Sequence, residues 1–132
     1  MKKIKNLLNQ KGLTLVELLA VLVIIAIIAA IAVPIVNSII NDSDERAEAA
    51  EALNIISSAK LAELSDNTID CESSCDQDDL SDYIQGSDEF TVTRDATTDV
   101  WSIAGHGVNG ITEITADPVT EDAIETYLDT TN

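Results

Sequence analysis

The chain has 132 residues, enough for one domain or for one small domain with an appendage. Its 24 acidic and 7 basic residues give a formal charge of −17, which excludes a general surface for gripping nucleic acid, because such surfaces are basic. Yet 45% of the residues are hydrophobic, so the acidity does not signal wholesale disorder.

The two facts are reconciled by position. The first 41 residues hold four of the seven bases (Lys2, Lys3, Lys5 and Lys11) and a single acid, Glu17. The other 23 acids follow, accompanied only by Arg46, Lys60 and Arg94. This pattern predicts an apolar N-terminal rod joined to an acidic C-terminal part. Leu18 to Val36 is a run of nineteen residues without a polar side chain, containing Pro34. As a helix it covers roughly 28 Å, close to the ~30 Å hydrocarbon layer of a bilayer. Bases before the run and acids after it predict a cytoplasmic N-terminus and an external C-terminus.

Three readings of this segment compete. One is a single-pass anchor. Another is a secretory signal peptide with small residues near Ala30-Ile31-Ala32. The third makes the Gly12–Leu13 junction the important site. The run is longer than a signal core of about 7–15 residues, and Pro34 suits a signal-peptidase site poorly. Glu17 is the more telling residue. A carboxylate at the edge of an apolar span is expensive in lipid unless a cation pairs with it, and neither an anchor nor a signal peptide has an evident use for it.

The string KGLTLVELLAVLVIIAIIAAIAVP resembles the N-terminus of type IV prepilins and pseudopilins, over roughly residues 9–40. The resemblance implies a short basic leader, residues 1–12, removed by a prepilin peptidase that cuts after Gly12. It implies N-methylation of the new N-terminal residue, Leu13, which stands where the family usually has Phe. Glu17 then occupies the family's fifth mature position, and Pro34 the place of a helix-kinking proline. Residues 13–40 become a transmembrane and filament-core helix, and residues 41–132 an acidic extracytoplasmic domain. The implied partners are the peptidase, further copies of the chain, the membrane, and an assembly machinery of platform protein and ATPase. The freed Leu13 amine and Glu17 of a neighbouring subunit can neutralise each other, and because burying either charge alone costs several kcal/mol, the pair can set the stagger between subunits.

Further along, Asn41–Glu45 is rich in helix-capping residues, so a helix can pause and restart there. From Asp44 to Ser65, apolar Ala49, Ala52, Leu53, Ile56, Ala59 and Ala62 recur at helical spacing. The expectation is one kinked helix from about Leu13 to Ser65, some 80 Å if unbroken. Its first half is hydrophobic all round, and its second half is amphipathic.

Cys71 and Cys75, outside the membrane, favour a disulfide closing a small loop, with free thiols or pairing to another chain as alternatives. Asp76, Asp78, Asp79 and Asp82 could gather around calcium, as could Asp117, Glu121 and Asp122, a place suggested by calcium-holding secretion pseudopilins. The spacing fails the EF-hand pattern, and a solvated acidic surface is the expectation at both.

Strand signals lie at Phe90–Thr93, Val100–Ala104 and Ile111–Thr115, joined by turn-like residues. They predict a three-stranded antiparallel sheet on which Trp101 and Ile103 face the amphipathic helix. A last helix is expected from Glu121 to Leu128, capped by Thr120. The fold class is therefore α+β and pilin-like.

His106 stands between two glycines and reads as a turn residue. There is no phosphate-binding glycine loop, no G-x-S-x-G nucleophile motif and no metal-ligand spacing, so a non-enzyme without a resident cofactor is expected. The leading reading is a structural subunit of a type IV pilus or similar filament, first in the membrane and then at the cell surface. Alternatives are a pseudopilin of a type II secretion or competence system, or an anchored surface domain that never polymerises. Direct nucleic-acid binding is not expected.

Overall fold

The computed structural model describes residues 2–85 and 89–131, with side chains from residue 14 onward. The element order is helix α1 (Lys2–Ser65), strands β1 (Cys75–Asp76), β2 (Thr91–Arg94) and β3 (Trp101–Ala104), a 3₁₀ turn (Gly107–Gly110), strand β4 (Val119–Thr120) and helix α2 (Glu121–Thr130). The chain divides into two compact units, Met1–Asn41 and Asp42–Asn132.

The described part of the first unit, from Lys2, is helix. Pro34 lies inside α1, where it supplies no backbone donor. From Thr14 to Asn41 every side chain is exposed, including Leu18, Ile24, Ile31 and Ile40. Among the described residues, nothing apolar covers this segment.

In the second unit, α1 is rich in alanine, a strong helix former, and its helical assignment runs through Asn41–Glu45 without the anticipated pause. The helix stops where Asp66 turns its carboxylate to the amide and hydroxyl of Thr68, at 2.9 and 2.7 Å. Such a local turn competes with helix continuation. Ala49, Ala52, Ile55, Ile56, Ala59 and Ala62 form the buried face. Leu53, expected inside, is half-buried at its edge, and Ile55 takes the inward position.

The sheet has four strands in the order β1-β2-β3-β4, all antiparallel, rather than three. Two of the expected strands are present, Phe90–Thr93 shifted by one residue as β2 and Val100–Ala104 shortened by Val100 as β3. The third expected strand, Ile111–Thr115, is not one. The Gly107–Gly110 segment closes a 3₁₀ turn instead of a hairpin, and the chain turns again so that the Ile114 amide bonds to the Ile111 carbonyl at 3.1 Å. Ile111 and Ile114 are both buried, so these side chains enter the core from a turn. The place beside β3 goes to Val119–Thr120, with Ser102 opposite Thr120 and Ile103 opposite Val119.

The register places Cys75, Val92, Ile103 and Val119 side by side across the sheet. All four are buried, in one cluster with the inward face of α1 and with Trp101. Burying an aliphatic side chain of this size contributes about 1.5–3 kcal/mol relative to leaving it exposed, so this row is a principal stabiliser of the unit. α2 extends two residues beyond the expected span. It is capped by the Thr120 hydroxyl, which accepts from the Ala123 amide at 3.4 Å, and it buries Ile124 and Tyr127.

Candidate functional site

Gly12 and Leu13 lie outside the residues whose side chains are described. Glu17 is on α1 and exposed, the one ionisable residue between Thr14 and Asn41. Among the described residues, α1 from Thr14 is the helix long and apolar enough to cross a membrane. The geometry therefore offers an apolar surface with one carboxylate near its start. Such a surface excludes water only inside lipid or against other helices.

Cys71 and Cys75 are joined, with 5.0 Å between their Cα atoms. Both are buried, and the Cys71 carbonyl accepts from the Arg94 amide at 2.8 Å. The loop they close is tied to the sheet by Arg94. The guanidinium reaches Glu63 at 2.6 Å, Glu72 at 2.9 Å and Asp99 at 3.4 Å, and it lies 5.8 Å from the Trp101 ring centre. Lys60 lies 5.7 Å from the same ring and pairs with Glu121 at 2.6 Å.

The acids singled out for calcium are held in local structure. The Asp76 carboxylate accepts from the amides of Asp78 and Asp79, and Asp79 accepts from the Asp76 amide. Of the second set, Glu121 holds Lys60 through both oxygens, and Asp117 accepts from the Asn109 side chain at 3.0 Å. Neither set forms a group of carboxylates close enough to share an ion; the described residues that do so are Glu48, Glu51 and His106, whose donor atoms lie within 4.8 Å of one another.

His106 is therefore more than a turn residue. It caps the 3₁₀ turn by accepting from the Val108 amide through Nδ1 at 3.2 Å, and its side chain is 2% exposed. Nδ1 is 3.7 Å from Glu48 Oε2 and Nε2 is 4.0 Å from Glu51 Oε1. The sequence gives little warning of this group. The glutamates are three residues apart on a helix face, but the imidazole arrives from a loop 55 residues later, at no motif spacing.

No curated protein and no solved structure matches the chain. A family model described as the prokaryotic N-terminal methylation motif matches residues 7–33, about a fifth of the chain. That stretch spans Gly12, Leu13 and Glu17 and opens the apolar helix whose side chains stand exposed, so the chain carries the type IV prepilin-type signature at its N-terminus.

Proposed function

We propose that the chain is a structural subunit of a type IV pilus or pilus-like filament. The observation that carries this reading is the coincidence of the methylation motif at residues 7–33 with a helix that is exposed from Thr14 to Asn41 and apolar there save for Thr14, Glu17 and a few small polar residues. Residues 13–40 hold the subunit in the membrane with the N-terminus cytoplasmic. Prepilin peptidase cuts between Gly12 and Leu13, the Leu13 amine is methylated, and the assembly machinery draws the helix into a bundle. Residues 41–132 form the external acidic domain. The role is scaffolding rather than catalysis.

Charge supports the scheme. Removing the leader takes away four lysines and moves the formal side-chain charge from −17 to −21. The positive flank that orients insertion is then gone, and the freed amine is the cation nearest Glu17 in sequence. The intact mass of the chain from cells tests the reading. A chain beginning at Leu13, about fourteen mass units heavier for one methyl group, is the expected result. A chain retaining Met1–Gly12 rules the scheme out. Electron microscopy of the cell surface then separates a pilus from a short secretion or competence pseudopilus.

A further inference from the structure

We infer that the part of α1 in the second unit pairs two copies of the chain in parallel, through the helix face opposite the one that packs on the sheet. Ala47, Ala50, Asn54, Ser57, Leu61 and Leu64 follow one another at alternating steps of three and four, the spacing of the a and d positions of a coiled coil. All six are exposed, Leu61 at 56% and Leu64 at 85%. The residues that α1 buries, Ala49, Ala52, Ile55, Ile56, Ala59 and Ala62, fall at the b, c and f positions of the same repeat, on the far side of the helix. The sheet therefore leaves the repeat open. None of its six residues is charged, in a unit that holds 23 of the chain's 24 acids, whereas a merely solvated face would carry its share of them.

Charge points to a second copy as the occupant. The e and g positions that flank the repeat carry opposite signs, Asp44 and Glu51 on one side and Arg46 and Lys60 on the other. Lys60 is engaged within its own chain by Glu121. Arg46 is exposed and, among the described residues, forms no ion pair. In a parallel pair a g residue meets the e residue five positions on in the facing helix, so Arg46 meets Glu51 of the partner subunit, and two-fold symmetry makes the contact twice. An antiparallel pair would set like charges against each other. Asn54 stands at an a position, where facing asparagines fix register and strand number. Alanine and serine at neighbouring positions let the two backbones approach closely. The inference rests on the membrane-held subunit proposed above: two chains inserted in one bilayer with the same orientation arrive parallel and at high local concentration. Such a pair is level, whereas the Leu13 amine and the Glu17 carboxylate of neighbouring subunits meet with an offset of four residues, about 6 Å. The pair is therefore a form of the subunit that precedes the filament.

The test is cysteine cross-linking of the full chain in its membranes, in the Glu17→Gln background, where no filament is expected. Ala50→Cys and Ser57→Cys each place a thiol at a d position, while Cys71 and Cys75 are already joined to each other. Mild oxidation should give covalent dimers of both variants and none of Glu125→Cys, an exposed position on α2. Adding Arg46→Glu should slow cross-linking about tenfold, and adding Glu51→Arg as well should restore it, since reversing both charges recreates the pair. Far-UV circular dichroism checks that each variant is folded. No dimer, an equal yield from Glu125→Cys, charge reversal without effect, or dimers formed only when Glu17 is retained would each overturn the pairing. Intact mass on the same membranes separates this from the filament scheme. A chain that begins at Leu13 and gives no dimer refutes the pairing alone; one that retains Met1–Gly12 and still gives dimers supports the pairing and refutes the scheme.

Discussion

Single side chains set the pH range of the second unit, Asp42–Asn132. Asp66 and Asp95 are held below the ordinary aspartate value of about 3.9. For Asp66 the cause is hydrogen bonding from the Thr68 hydroxyl and then its amide; for Asp95 it is the amides of Thr98 and Thr97. A carboxyl whose folded value is lowered stabilises the fold above its unfolded value and loses that contribution as pH falls through the folded one. Tyr127 is shifted the other way, upward, by burial first and by the nearby Glu45 charge second. Its contribution is present below about pH 10 and is lost as pH climbs through the raised value. Urea unfolding of the full chain in detergent should therefore show stability falling as pH drops below about 4, with a shallower fall in Asp95→Asn. Superimposable acid limbs would refute the assignment to Asp95. These turns were foreseeable, since an Asp with Thr two residues on, as in Asp66-Asn67-Thr68 and Asp95-Ala96-Thr97, is turn chemistry. The burial of His106 was not, because one histidine between two glycines looks the same in sequence whether its ring faces solvent or two carboxylates.

Among the elements, legibility followed length. The inward face of α1 repeats over four turns, and its alanines were read correctly, with a shift from Leu53 to Ile55 at the margin. β2 and β3 carry four residues each and enough β-branched character to be placed. β1 and β4 are two residues long, too short for an alternating pattern, and are defined by the strands they pair with. Ile111–Thr115 shows the converse. Its isoleucines three apart fit a strand by composition, but the 3₁₀ turn before it reaches the core without a ladder. The cross-sheet row yields a prediction at this scale. Ile103→Ala should destabilise the unit by about 2–5 kcal/mol, because rigid neighbours on both strands and on α1 leave a cavity. Leu64→Ala, at a side chain 85% exposed, should change stability by no more than about 0.5 kcal/mol. Urea midpoints compare the two, and an equal loss in both would mean that the row does not anchor the sheet.

At the scale of the whole molecule, apolar surface and charge are separated along the sequence. Nearly all the acids sit in Asp42–Asn132, while the segment from Thr14 to Asn41 offers exposed aliphatic side chains and one carboxylate. In lipid those aliphatic side chains supply no hydrophobic drive for helices to associate, because acyl chains are as apolar as leucine. Packing can hold a bundle, but nearly featureless leucine and isoleucine surfaces define its register poorly. In the filament proposed above, a single charge on each helix matched by a single amine on its neighbour would define it, since any other stagger leaves both charges buried and unpaired. Glu17→Gln keeps the volume and removes the charge. The expected outcome is a chain that is inserted, cleaved at Gly12 and recovered from the membrane fraction at parental levels, while filaments in the sheared surface fraction are lost. Filaments at the parental level would show that Glu17 does not set the register. Loss of the chain from the membrane fraction would place its role in insertion instead.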